Sequence, residues 1–232
     1  MDGFTDSFAI LRGFSNFTEN DDIMKNLFIL TFLVMTAGLA CSADKNDNRL
    51  MTGAERTGEY LPLIEGKTVA VVANQTSTVG GAHLVDTMLS LGANIRLIFA
   101  PEHGFRDLAD AGAEITSGTD PVTGINVLSL YGNKKKPAAE DLEGIDVVIF
   151  DIQDVGTRFY TYLTTMCYVM EACAENGKQF IVLDRPNPNG YYVDGPILDT
   201  AGYSSLAGIH PIPVVQGMTL GEYAGLGDGG GW

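Results

Sequence analysis

The chain has 232 residues, 45% hydrophobic and 19% charged, with 28 glycines and 9 prolines, a make-up that fits a globular protein and not a disordered or fibrous one. Its 14 basic residues against 29 acidic ones leave a formal charge of −15, which repels a phosphate backbone and argues against nucleic acid as a partner.

The N-terminal stretch reads as an export signal rather than as part of the fold. Met24-Lys25-Asn26, the apolar run Leu27–Met35 and small residues before Cys41 make a secretory signal, too short for a comfortable membrane span. It is similar to a bacterial lipoprotein signal with Cys41 as the lipidated residue, although Gly38 departs from the usual aliphatic residue; an ordinary cleaved signal with Cys41 incidental is the other reading. Residues 1–23, acidic and ahead of a second methionine, read as an overextended start. The expected organisation is therefore 1–41 as extension plus signal, 42–60 as a tether and 61–232 as the folded domain. The expected location is the periplasm or an outer-membrane lipoprotein of a bacterium, with membrane contact only through the N-terminal lipid anchor.

From Lys67 onward strand and helix patterns alternate. Thr68–Ala73 is an apolar strand that ends at Asn74, and Leu84–Leu91 has helical spacing with Gly92 as its stop. Asn94–Ala100 is a second strand, ending at Pro101-Glu102-His103-Gly104. A polar region over 105–124 leads to a short strand, Ile125–Leu130, then a loop with Tyr131 and three solvated lysines, Lys134 to Lys136.

Val147-Val148-Ile149-Phe150 reads as a strand buried on both faces that runs into Asp151, Gln153, Asp154, Gly156 and Arg158. A helix is predicted from about Arg158 to Glu175, with Phe159, Tyr162, Leu163, Met166, Met170 and Cys173 on one stripe and Gly177 as its cap. Cys167 and Cys173 then lie roughly 9 Å apart along the axis, too far for a disulfide, and read as core thiols. Gln179–Leu183 is a further strand, ending at Asp184-Arg185-Pro186-Asn187. Ile212–Val215 is a last short one, ending at Gln216 before a helix near Leu220. The fold class is α/β: a doubly wound, mostly parallel sheet with helices on both faces.

Parallel strands place their carboxyl ends on one edge, so the polar clusters at Asn74, Glu102-His103, Asp151 with Asp154 and Arg158, Asp184-Arg185-Asn187, and Gln216 are expected to converge there. The edge lacks the glycine fingerprint of dinucleotide binding, a Walker lysine and the G-x-S-x-G elbow of serine hydrolases. Its carboxylates suit general acid–base catalysis or metal binding.

The segments Pro101-Glu102-His103-Gly104-Phe105-Arg106, Ser129-Leu130-Tyr131-Gly132, Phe150–Tyr162, Leu183-Asp184-Arg185-Pro186-Asn187-Pro188 and Gly217-Met218-Thr219 together resemble the exo-β-N-acetylmuramidases, the NamZ-like group formerly known as a domain of unknown function. The resemblance runs from about Leu61 to Tyr223. It implies a Rossmann-like N-terminal domain, a cleft shared with a C-terminal domain, and removal of terminal N-acetylmuramic acid from the non-reducing ends of peptidoglycan fragments. For a chain ending at Trp232 it further implies that the C-terminal domain is absent and activity impaired. Gln216 stands where members often carry histidine, and Asp107–Asp110 differ from the residues expected after the Phe-Arg pair.

Within that frame Glu102 is the candidate general acid, with Phe99 and Phe105 as its apolar setting. Asp151 and Asp154 are candidates for the second carboxylate, or pair with Arg158 one turn away. Tyr160 and Tyr131 stack on the sugar or share in proton transfer, or else pack as core aromatics, as Tyr162 is expected to do. Arg158 and Arg185 grip the lactyl carboxylate of the muramic acid, or form internal salt bridges. Asn74, His103, Asp184, Asn187 and Gln216 complete the substrate-binding set. No cofactor or metal is expected, and muropeptides are the expected partner. The alternatives are a surface lipoprotein that binds muropeptides without cleaving them, and a metal hydrolase using Glu102, His103, Asp151 and Asp154.

Overall fold

A computed structural model describes residues 49–106 and 116–230, and Met51 begins the compact unit considered below. The signal, Cys41, the first part of the tether and Asp107–Asp110 lie outside the described residues.

A six-stranded sheet in the order β5-β6-β4-β1-β7-β8 organises this unit. Its strands are β1 (Thr68–Ala73), β4 (Asn94–Ala100), β5 (Gly118–Thr119), β6 (Asn126–Ser129), β7 (Val147–Asp151) and β8 (Gln179–Val182), while β2 (Thr78–Val79) and β3 (Ala82–His83) form a separate hairpin. Every pairing in the sheet is parallel except β5 with β6. The helices are α1 (Thr57–Ile64), α2 (Leu84–Ser90), α3 (Tyr162–Glu175), α4 (Thr200–Tyr203) and α5 (Leu220–Gly230). None of the described helices is long and apolar enough to cross a membrane.

The central strands are apolar on both faces because both are covered. Alternate residues go to opposite layers, as the pleat requires. Ala70, Val72, Phe99, Val148 and Phe150 pack with Leu163, Met166 and Val169 of α3 and Tyr223 of α5. Val69, Val71, Ile98, Val147 and Ile149 pack with Tyr60 and Ile64 of α1 and Leu84, Val85 and Met88 of α2. The doubly wound, Rossmann-like class expected from the alternation is the one observed.

Four local expectations need correction. The tether stops short of 60, because a 3-10 turn at Gly53–Glu55 and α1 bury Ala54, Tyr60 and Ile64. Gly53 is held there: its N–H donates to the Asp184 carbonyl at 2.7 Å, and a Cβ would come within 2.5 Å of Asp184 N. Gly58 and Pro62 inside α1 hide the helical pattern. Helix α3 starts at Tyr162 rather than Arg158, and Phe159, 60% exposed, is outside its buried stripe.

Ile212–Val215 is not a sheet strand; Val215 makes only isolated antiparallel bridges with Thr157 and Asp194. Pro211 and Pro213 remove the donors a ladder needs. The lysine run is not merely solvated, since Lys134 pairs with Asp141 at 2.6 Å and Lys136 with Glu171 and Glu175 at 3.0 and 2.8 Å. Other expectations hold: Gly92 and Gly177 end their helices with φ of +88° and +62°, and Cys167 and Cys173 are buried free thiols, each pushed up to about 12 by burial.

Candidate active site

The parallel registers align the strand ends: Val72 pairs with Phe99, Ala73 with Asp151, Ala100 with Ser129 and Phe150 with Val182. Asn74, Glu102, Asp151 and Asp184 therefore leave the sheet at one edge, as the strand pattern requires. Short polar links stitch its middle. Ser77 Oγ accepts from Asn74 N at 3.0 Å and donates to the Asp151 carbonyl, and Thr76 Oγ1 accepts from Gln153 N at 2.9 Å.

Glu102 is half-buried at the end of β4. Its Oε2 accepts from the Thr161 hydroxyl at 2.8 Å, and the Tyr131 hydroxyl also hydrogen-bonds this carboxyl, which raises the phenol above its ordinary range. Phe99 belongs instead to the core, and Phe105 stacks edge-on against His83, 4.7 Å between ring centroids. Hydroxyls, rather than the expected aromatic rings, are the groups that touch the carboxyl.

The loop that carries Glu102 is tightly held. His103 is the one non-glycine residue with positive φ among those described, at 71°, a conformation that persists only where its surroundings impose it. The tie is Arg106, whose guanidinium takes Asp86 at 2.6 and 2.9 Å and Asp120 at 2.8 and 2.9 Å. Burial works against the Asp120 charge, but hydrogen bonds from Arg106 and Thr123 outweigh it and carry the carboxyl down to about 2. Hydrogen bonding to Arg106 lowers Asp86 as well.

Because both folded-state values lie below the unfolded ones, their stabilisation is complete above the unfolded carboxylate range and is lost as pH falls towards 2. With its side chain only 1% exposed, Asp120 accounts for roughly 2 kcal/mol of this. Thermal melts are expected to show a midpoint that falls between about pH 4 and pH 2, and Arg106→Met should flatten that fall. A melt as acid-sensitive in the variant as in the parent would show that this cluster is not its source.

The remaining acids are engaged internally. Asp151, fully buried, takes Arg185 in a two-pronged ion pair at 2.6 and 2.9 Å, and Arg185, 8% exposed, also donates to the Thr78 carbonyl at 3.1 Å. Burial pulls the Asp151 carboxyl upward and the guanidinium pulls it back. Arg158 pairs with neither aspartate. It is buried and donates to the carbonyls of Pro196 and Ile212 at 3.1 and 2.5 Å. Both arginines thus close internal contacts where a grip on the substrate's carboxylate was one expectation.

Asp184 accepts from Thr219 Oγ1 at 2.6 Å and Gly221 N at 2.8 Å, holding the start of α5. Asn187 donates to the Met218 carbonyl and accepts from Asn189 N, lying against Gly156 at φ +77°, where any Cβ would collide with its amide. Asp184 and Asn187 thus support the loop and the helix start.

Among the described residues five buried polar side-chain atoms have no partner: Asn74 Nδ2, Gln75 Oε1, Asp154 Oδ1, Thr164 Oγ1 and Gln216 Oε1. Asp154 Oδ2 accepts from Gly156 N at 2.9 Å, and burial raises the carboxyl despite that bond. Tyr162 is buried as expected, and burial chiefly raises its phenol; Glu102, Asp154 and Tyr160 add to the effect, while the Asn74 amide opposes it. Tyr160 itself is 49% exposed. Of the expected residues, Glu102, Tyr131 and Tyr160 keep some exposure at this edge, while Asn74, Asp154 and Gln216 are buried with one polar atom each lacking a partner.

Thr161, Arg106 and its two aspartates escaped the sequence reading; an arginine between two acids far apart in sequence leaves no local signal. Among the described residues no group of three or more His, Cys, Asp or Glu side chains is placed to hold a metal ion, so Glu102, His103, Asp151 and Asp154 do not form a ligand cluster. Two cavities lie away from this edge. One of about 600 Å³ is at the opposite ends of β1 and β4, and one of about 570 Å³ lies between α3 and α5.

A doubly wound sheet whose carboxyl edge presents one hydroxyl-held glutamate and several unpartnered buried polar atoms defines an α/β protein with a polar ligand edge. The chain belongs to the family described as exo-beta-N-acetylmuramidase NamZ, N-terminal, whose profile matches residues 69–232. It is 43% identical over 206 residues to the peptidoglycan beta-N-acetylmuramidase NamZ of Bacillus subtilis (strain 168), a match covering 85% of this chain and 50% of that protein.

Crystal structures of two DUF1343 family proteins from Bacteroides fragilis NCTC 9343 are similar as well. One is 47% identical with a TM-score of 0.68, covering 78% of this chain and 47% of that one. The other is 40% identical with a TM-score of 0.70, covering 78% and 46%. The chain spans about half the length of the relatives it matches.

Proposed function

We propose that this chain carries the acid-bearing part of a glycoside hydrolase that releases N-acetylmuramic acid from the non-reducing ends of peptidoglycan fragments. One observation carries the reading. Of the acids at the ligand edge, Glu102 is held by hydroxyls alone, whereas Asp151 is neutralised by Arg185 and Asp184 takes a backbone N–H as well as a hydroxyl at the start of α5. A carboxyl without a guanidinium partner is able to hold a proton and deliver it to a glycosidic oxygen. The activity named for the Bacillus subtilis relative supports the same substrate class.

In this reading Glu102 protonates the leaving oxygen. Asp154, the other carboxyl with a free oxygen, is the second carboxylate, and its direct interaction with a water or the sugar completes the pair. Tyr160 offers an exposed ring to the sugar face, and Asn74 Nδ2 and Gln216 Oε1 offer a donor and an acceptor to its hydroxyl and acetamido groups. The secretory-type pattern before Cys41 supports export, and anchoring through Cys41 is part of the same proposal.

The test is incubation of the 232-residue protein with a chromogenic N-acetylmuramide and with digested peptidoglycan, alongside fractionation of expressing cells. Release of N-acetylmuramic acid and recovery from the envelope are the expected results. Tight calorimetric binding of muropeptides with no product identifies the non-catalytic binder instead, and recovery from the cytoplasm overturns the export reading.

A further inference from the structure

We propose that Thr161 is the positioning residue of the acid, holding Glu102 Oε2 so that Oε1 delivers the proton; this rests on the role given to Glu102 above. Thr161 stands at the N-cap of the 14-residue helix α3, where a threonine hydroxyl normally accepts from a first-turn N–H. Here that cap bond is not made. The backbone is helical, φ −72° and ψ −10°, and the hydroxyl instead donates to Glu102 Oε2 at 2.8 Å, across 59 residues of sequence. A local rule set aside in favour of one long-range contact is the mark of a functional position.

Both ends of that contact are rigid. The Thr161 carbonyl accepts from Thr165 N at 2.9 Å and Thr165 Oγ1 at 3.0 Å, and Thr165 is buried against the sheet. At the other end Pro101 is buried and the Arg106 clamp pins the loop. Tyr131, the other donor to Glu102, is half-buried on a loop after β6, whereas Thr161 is fixed by the start of α3.

The bond also changes strength in the useful direction. In the acid step the Oε1–H bond breaks, an O–H bond forms at the glycosidic oxygen, and the electrons of the breaking C–O bond go to the departing alcohol. Glu102 is left as a carboxylate. A hydroxyl donating to a carboxylate oxygen makes a stronger bond than one donating to a neutral acid, so the Thr161 contact gains strength as the proton leaves and contributes more in the transition state than in the ground state.

The test compares Thr161→Val, Thr161→Ala and Thr161→Ser in muramide release. Valine keeps the shape without the donor and should lower kcat by about 10- to 100-fold with KM within about twofold; serine should restore kcat to within about threefold of the parent. Alanine gives the same reading should valine fail to fold.

An active parent with unchanged kcat in valine and alanine overturns this inference and leaves the glycosidase reading standing. An inactive parent overturns the glycosidase reading. In that case side-chain NMR couplings of Glu102 decide the positioning role in the same 232-residue chain: a single rotamer in the parent and averaging in the valine variant support it, and identical couplings overturn it.

Discussion

Glu102→Gln is expected to lower kcat for N-acetylmuramic acid release by about 10²- to 10⁴-fold while leaving KM and the melting temperature close to the parent values. Glutamine has the shape of glutamate, and its amide oxygen still accepts from Thr161 at the position where Oε2 is held at 2.8 Å. What it lacks is the proton to give. Among the described residues Glu102 has no charged partner whose loss would destabilise the fold, so the defect should be confined to the chemical step. A substrate with a highly acidic leaving group needs little protonation and should recover much of the rate in the variant. If the variant keeps more than about a tenth of the parent kcat, a loss smaller than general acids cause, the acid lies elsewhere, and Asp154, whose Oδ1 is free, is the next group to replace.

The second large effect is on stability. Asp151→Ala leaves the Arg185 guanidinium buried with only the Thr78 carbonyl, and an uncompensated buried charge of this kind costs about 3–5 kcal/mol. For a unit of this size that corresponds to a melting temperature lower by on the order of 10 °C. Joint replacement with apolar residues, Asp151→Leu with Arg185→Met, should recover most of the loss, because it removes the stranded charge rather than the attraction alone. Denaturant titrations of the three proteins check both statements. Parent-like stability in Asp151→Ala would mean that the ion pair does not hold β7 to the segment after β8. The same comparison separates Asp151 from Glu102 functionally, since a fully buried aspartate locked to an arginine fails by unfolding rather than by losing a proton donor.

The elements most legible in the sequence are those whose signal is local. Thr68–Ala73 and Val147–Phe150 announce themselves as buried strands because both faces must be apolar between two helical layers, and Gly92 and Gly177 mark helix ends because those positions need positive φ. Local rules misled where proline or glycine broke the pattern, as in α1 with Gly58 and Pro62, and where apolar runs without donors imitated a strand, as at Ile212–Val215. Family membership was equally legible, because Asp151-Ile152-Gln153-Asp154-Val155-Gly156 is a contiguous motif.

Within that motif the sequence determines that acids, an amide and a glycine meet the ligand edge, since parallel strands share one carboxyl edge. Which partner each of the acids takes was decided only by tertiary structure. Asp151 is neutralised by Arg185, 34 residues away, and Arg158 turns to backbone carbonyls 38 and 54 residues away. Glu102 is held by a hydroxyl 59 residues distant, which belongs to a helix start that gives up its own cap to reach it. The charge and the spacing of a side chain are written in the chain, but its protonation depends on which neighbours desolvate or neutralise it, and those neighbours are brought by register and packing.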